Sequence, residues 1–422
     1  MKQQSTVQVS FLLVLILGAM LLTSFSPKWG FFAHRRINRL AVFTLPPEMI
    51  GFYKKNLEYI TEHAVDPDKR RYATKHEAVR HYIDIDHWGE YPFPEVPRNW
   101  TDALMKYTDV FVVTDTYDTL QVFGNDVIAM EDGYLQLDEA MVSWNHPLKT
   151  INLRESRYRN FFRENIQNNY YEEEWIVSCD SLYALLPGLA REINCTSVFA
   201  IDHFSEYGIL PYNLLRVQNQ LTEAFRQQNV DRILRVSAEM GHYIGDAHVP
   251  LHTTENYNGQ LTNQVGIHAF WESRLPELYA EETYDFFVGS ADYIEQPADF
   301  FWKMVLDSHS LLDSVLLIEK DLSQTFPQDK QYCYEERLGR TIRTQCEEYC
   351  EAYHNRLDGM VETRFRDAIH AIGCSWYTAW VDAGQPDLMN LQKSALTRKQ
   401  IKEQEELESQ FRQGEAKGRK HE

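Results

Sequence analysis

Nine residues in four segments carry the types and spacings most able to do chemistry: Trp29-x4-His34, then Asp66 and His81, then His242-x3-Asp246-x5-His252, and His268-x3-Glu272. Residues four apart share one face of a helix, so His242 and Asp246 can point into one space, as can His268 and Glu272. Imidazole nitrogens mixed with carboxylate oxygens, and no thiolates, suit zinc held for hydrolysis better than a closed structural site. A single histidine is more often a core or surface residue than a ligand. Four segments with internally matched spacing are much harder to obtain by chance.

The elements that must position these side chains read mainly as helices. Gln218 to His248 carries apolar residues at Leu221, Ala224, Phe225, Ile233, Leu234, Val236, Met240 and Ile244, close to one stripe of period 3.6. Pro250 denies a backbone donor and should end that helix, leaving His252 on the following turn. Asp299 to Leu322 and Asn355 to Ala379 also read as helices, with Ser290 to Pro297 as a connecting loop. Residues 109 to 204 differ: Val110 to Thr114 and the stretch after Glu172 have strand character, and the polar segment between them lacks a helical period. This region is expected to be an insertion between the second and third ligand-bearing segments. Residues 391–422 form a charged C-terminal tail, expected to be a solvated helix or disorder.

At the other end, Lys2, the apolar run Phe11 to Leu22 and the small residues around Ser24-Phe25-Ser26 have the make-up of a secretory signal. Twelve apolar residues fall short of the roughly 20 that span a bilayer. Export is therefore expected, to the medium, the periplasm or the cell surface. Six cysteines, Cys179, Cys195, Cys333, Cys346, Cys350 and Cys374, allow about 15 disulfide pairings in such a compartment. None lies near the His/Asp segments, so structural bridges or buried thiols are expected rather than catalytic ones. The 24 Tyr, 22 Phe and 9 Trp indicate a packed protein, and a formal charge of −20 argues against a broad electrostatic grip on nucleic acid or anionic membrane. Bound zinc would offset that charge locally.

Trp-Gly-x3-His near a mature N-terminus, His-aromatic-Ile-Asp, His-Tyr-Ile-Gly-Asp-x3-Pro-Leu-His and His-x3-Glu together resemble the zinc-dependent phospholipase C and fungal single-strand nuclease superfamily. The resemblance covers Trp29 to Asp86 and Val217 to Leu275. It implies an all-α, multihelical fold with 109–204 as a large insertion. The implied organisation is a signal peptide and short pro-segment at 1–28, a phosphodiesterase domain at 29–390, and the tail. It also implies three zinc ions: one on Asp66, His81, His242 and Asp246; one on His34, Asp246 and the amine and carbonyl of Trp29; one on His252, His268 and Glu272. Asp66 and Asp246 would serve catalysis most directly, with Asp246 bridging two ions and a hydroxide between them as nucleophile. The amine of Trp29 becomes available only when the bond after Lys28 is cut.

The substrate stays open between two phosphodiesters. Glu272 in place of Asp resembles the bacterial phospholipases, whereas His81-Tyr82-Ile83-Asp84 resembles the nucleases, in which the aromatic stacks on a base and the aspartate reads its edge. Tyr82 could equally face a choline cation. Lys69, Arg70 or Arg71 could contact the scissile phosphate. The leading expectation is a secreted, phospholipase C-like zinc hydrolase acting on phosphoric esters. A single-strand endonuclease releasing 5′-nucleotides is the alternative, and a non-catalytic zinc-binding surface protein is the alternative of another class. The expected partners are a phospholipid headgroup or single-stranded nucleic acid, with the chain a monomer and no stable protein partner.

Overall fold

The computed structural model describes residues 31–124, 127–131, 134–137, 152–167, 176–189, 193–337, 340–391, 398–414 and 417. The expected signal segment and Trp29 lie outside them.

Four helices make the core that positions the ligand-bearing segments: Phe31–Ala41, Leu210–Arg226, Val230–Ala247 and Met360–Asp382. The stripe read as one helix over Gln218 to His248 is two. Gln228 takes a positive φ of 51°, and Asn229 accepts a hydrogen bond from the Arg232 amide, capping a new helix. The apolar period resumes in phase across that polar turn, which hides the break from a periodicity argument. The Asn355 to Ala379 stretch is likewise interrupted, at Asp358 and Gly359, both with positive φ. Asp299 to Leu322 is also two helices, Pro297–His309 and Leu312–Thr325.

Close approach brings the first helix onto the third. A Cβ at Gly241 would lie 1.8 Å from Asn38 Oδ1, and one at Gly245 would lie 2.9 Å from His34 Nδ1. The bare backbone of these two glycines, four apart on one face, lets Phe31–Ala41 pack directly on Val230–Ala247. Asn38 is fully buried there, and its amide donates to the Ala238 carbonyl at 2.9 Å.

The expectation of an all-α chain is overturned by three antiparallel sheets. Strands β1 (Thr108–Thr114), β2 (Thr119–Phe123), β6 (Ile176–Val177) and β7 (Cys195–Asp202) form one sheet in the order β2-β1-β7-β6. Strands β3 (Val127–Glu131), β4 (Tyr134–Leu137) and β5 (Asn152–Arg154) form a second, and β8 (Tyr332–Arg337) with β9 (Arg340–Gln345) a hairpin. The physical reason is visible in β1, whose residues alternate buried and half-buried along TDVFVVT. Period-2 burial with β-branched side chains fits a pleated strand and not a helix face. Val110 pairs with Ala200 and Val112 with Val198. Their side chains join Phe123, Tyr158, Phe162 and Leu182 in a hydrophobic cluster separate from the main core.

Two disulfides occur among the described residues. Cys179–Cys195 ties the Cys179–Leu185 helix to β7, and Cys333–Cys346 closes the β8–β9 hairpin. They fit an exported protein. No described helix is long and apolar enough to cross a membrane. The charged tail is not wholly solvated: Arg398–Gln413 is a helix whose Phe411 stacks on Phe31 at 5.5 Å and meets Tyr72 edge-on.

Candidate metal centre

Every segment expected to carry ligands, among the described residues, reaches one buried room between the core helices. His34 comes from Phe31–Ala41, and His242 and Asp246 from successive turns of Val230–Ala247. His252 lies on the 3-10 turn Pro250–Thr253, which follows that helix where Pro250 blocks its continuation. His268 lies on Ile267–Ala269, which runs into a π-helical turn, Phe270–Arg274, that carries Glu272. Such π turns are uncommon and concentrate at functional sites.

Asp246 stands in the middle. Its Oδ2 lies 3.0 Å from His81 Nδ1 and 3.4 Å from His242 Nε2, while its Oδ1 lies 3.5 Å from His34 Nε2 and 3.8 Å from His252 Nε2. Glu272 closes the far side, with Oε2 at 2.7 Å from His268 Nε2 and 3.5 Å from His252 Nε2, and Oε1 at 3.5 Å from His34 Nε2. Three groups result, each compact enough to hold one ion: His34, His242 and Asp246; Asp68, His81 and His242; and His252, His268 and Glu272.

Asp66 is not among them. Its carboxylate meets His63 Nδ1 at 2.5 Å and Lys69 Nζ at 3.4 Å, beneath the C-terminal helix. Burial opposes its ionisation, but the His63 bond and nearby cations hold it below the usual carboxylate range. Asp68 takes the expected place, 3.9 Å from His81 Nδ1 and 3.7 Å from His242 Nε2. Both belong to the short helix Asp66–Arg70, and residues two apart on a helix face different ways, so the two carboxylates cannot serve one room.

The hydrogen bonds fix the state of the imidazoles. His242 Nδ1 is 2.9 Å from the Ala64 carbonyl, His252 Nδ1 is 2.6 Å from the His81 carbonyl, and His268 Nδ1 is 3.0 Å from the Tyr257 carbonyl. A carbonyl only accepts, so each Nδ1 donates and each Nε2 is turned towards the room. Burial pushes His81 and His242 well below the ordinary histidine range and His252 down to about 4, favouring neutral rings. Burial, then the neighbouring Asp68 and Glu272, pushes the Asp246 carboxyl well above its ordinary value. Imidazole nitrogens and carboxylate oxygens thus converge on one space, where a cation between them would hold both kinds of group. The donor set fits metal ions.

Of the four side chains expected to contact substrate, two are buried and two are ion-paired. Tyr82 is buried, and its hydroxyl donates to the Glu206 carbonyl at 3.0 Å. Asp84 is also buried, at the base of the Ile85–Trp88 turn. Lys69 lies between Asp66 and Glu408. Arg70 reaches Glu239 at 2.8 Å and Glu77 at 3.2 Å, which satisfies its guanidinium inside the fold. Arg71 is the neighbouring cation that turns inward, 3.5 Å from Asp68 Oδ1.

Two supporting residues went unread in the sequence. Glu77, fully buried, lies 3.8 Å behind His81 Nε2 and accepts from the Tyr243 hydroxyl and Arg80. The spacing Glu77-x3-His81 was the available signal. Asp86 accepts from Thr254 Oγ1 at 2.6 Å and from the Glu255 amide at 3.0 Å, holding the chain just after His252. His248, beside the ligands in sequence, turns away and bonds the Ile244 carbonyl at 2.7 Å. No protein-family model matches the chain, and no curated protein matches it.

Proposed function

We propose that this chain is an exported zinc-dependent hydrolase of phosphoric esters, phospholipase C-like in its substrate. One observation carries the reading: three His/carboxylate groups share a single buried room with Asp246 at its centre. A structural zinc site needs four ligands and closure, whereas this room gathers eight side chains, the central Asp246 among them. His34, Asp68, His81, His242, Asp246, His252, His268 and Glu272 would hold the metal, joined by Trp29 if its amine is freed. Zinc bound there would supply Lewis acidity and activate water towards phosphorus.

The protein's own residues do the positioning. Backbone carbonyls of Ala64, His81 and Tyr257 fix three imidazoles by their Nδ1 protons, so the inward nitrogens need no reorganisation during turnover. Asp246 offers one oxygen to each side of the room. Arg71 places a fixed positive charge beside Asp68, where an anionic phosphoryl group would need compensation. The burial of Tyr82 withdraws its aromatic face from a stacked base and from a choline cation alike, so the preference for a lipid headgroup rests on Glu272, which completes the third group.

The test is direct. Zinc-loaded mature protein is incubated separately with phosphatidylcholine vesicles and single-stranded DNA, alongside His242→Ala and Asp246→Ala. Phosphocholine release that both variants lose supports the proposal. Nucleotide release from DNA, with lipid left intact, would move the assignment to the nuclease reading, and retained activity in both variants would sink the mechanism.

A further inference from the structure

A second cluster of metal-ligating side chains lies outside the room. His370 and Cys374 are four apart on the Met360–Asp382 helix, and Asp292 comes from the loop that precedes Pro297. Their ligand atoms gather within 4.8 Å of one another. From these residues we propose a separate divalent-cation site, of the zinc class, formed by Asp292, His370 and Cys374.

The distances have the right scale. Tetrahedral zinc with Zn–S of about 2.3 Å and Zn–N of about 2.0 Å places sulfur and nitrogen roughly 3.6 Å apart, and nitrogen and oxygen roughly 3.3 Å apart. Cys374 Sγ lies 3.7 Å from His370 Nε2, and His370 Nε2 lies 3.5 Å from Asp292 Oδ2. One thiolate, one imidazole and one carboxylate is a borderline-soft donor set, which selects zinc or cobalt over calcium and magnesium.

The loop is held in place around this cluster. The Ala291 amide donates to the Thr44 carbonyl at 2.8 Å, and the Ile294 amide donates to Thr378 Oγ1 at 2.9 Å. Between them the Asp292 amide points at Cys374 Sγ, 3.2 Å away. That N–H favours a thiolate over a thiol. Gly373 allows this contact, since a Cβ there would meet Thr44 Oγ1 at 1.9 Å and Ala291 Cβ at 3.4 Å. Two ligands on a rigid helix and a third on a pinned loop leave little to reorganise on binding.

Binding releases the Cys374 proton to solvent. It also exchanges the 3.1 Å bond from His370 Nε2 to the Ser290 carbonyl for a metal bond, with the ring proton moving to Nδ1. Burial, with the Asp292 charge adding to it against the Asp292 amide, pushes the Cys374 thiol up to about 11, and a coordinated cation reverses that preference. The bound ion ties the loop to the helix without a disulfide. It also keeps a cysteine outside the two bridges from oxidising in an exported protein.

Sulfur separates this site from the main room, whose ligands are imidazoles and carboxylates only. Metal-free full-length protein, with disulfides intact, is titrated with cobalt(II) while the near-ultraviolet sulfur-to-cobalt charge-transfer band is followed. The band is expected in the parent protein and in Cys350→Ser, and is expected to vanish in Cys374→Ala. His370→Ala and Asp292→Asn alter partly or largely exposed side chains, keep the circular dichroism of the parent, and should weaken cobalt binding at the band by about tenfold or more. A parent protein without the band at saturating cobalt overturns the site, as does a band that survives Cys374→Ala. Unchanged affinity in both His370→Ala and Asp292→Asn does the same, even if Cys374→Ala fails to fold. None of these outcomes depends on what the main room hydrolyses.

Discussion

The helical core and the sheet-bearing region expected to be an insertion bury very different things. Among the described residues from Leu104 to Ala200, the buried polar side chains are Thr108 and Thr114, and the rest of that interior is aliphatic or aromatic with a disulfide at its edge. The core buries His34, Asp246, Glu77, His81, His242, His252, His268 and Arg274 among its apolar residues. Burying polar groups without full compensation costs several kcal/mol each, whereas apolar burial stabilises. The interior of the insertion therefore favours its own stability, whereas the core holds groups that a bound cation would stabilise. A fold that gives up stability at one place and recovers it elsewhere is the usual signature of a working site.

The strongest way to break this contrast is to take the metal away. An ion present at a thousand times its dissociation constant contributes about 4 kcal/mol to the folded state. Chelation should cost the core that much, read as lost hydrogen-exchange protection over Val230–Ala247, with β1 and β7 unchanged; equal losses in both regions would erase the distinction. The converse perturbation is Leu182→Ala in the fully buried interior of the insertion. It should lower stability by about 2–5 kcal/mol in denaturant melts while leaving zinc content as in the parent. Metal loss in that variant would show that the two interiors are one unit.

Smaller changes sharpen the contrast inside the core. Asp68→Asn should lower hydrolysis by about a hundredfold, as loss of a directly interacting charged group commonly does, while Asp66→Asn stays within about threefold. The reverse ranking, measured as kcat/KM on phosphatidylcholine vesicles, would restore Asp66 to the site. Glu77→Gln should weaken zinc by about 10- to 100-fold without abolishing the fold, because it acts on His81 from behind. Competition with a calibrated chelator measures it, and unchanged affinity would make Glu77 a partner of Arg70 and Arg80 alone.

The core room was largely legible because helix geometry turns spacing into direction. His242-x3-Asp246 and His268-x3-Glu272 name their shared faces through the number of intervening residues alone. Asp-Pro-Asp at 66–68 is where that logic failed: two carboxylates two apart compete for one role, and only their pairing with His63 or Arg71 tells them apart. The expected substrate contacts are less legible for a different reason. The motif leaves the burial of Tyr82 and Asp84 open, because it is set by Glu206, Tyr207 and Gly208, more than 120 residues away. The sheets were half legible, since alternation around Val110 to Thr114 was readable while the all-helical expectation attached to the resemblance overrode it.

The room draws His34, Asp68 and His81 from before the insertion and five further candidate ligands from after it. That order has a consequence for how the chain comes into being. Local contacts form early and distant ones late, because loop closure precedes any gain from long-range packing. Two of the room's three groups that could hold an ion are therefore products of long-range closure: neither is complete until segments on both sides of the region from 109 to 204 have come together.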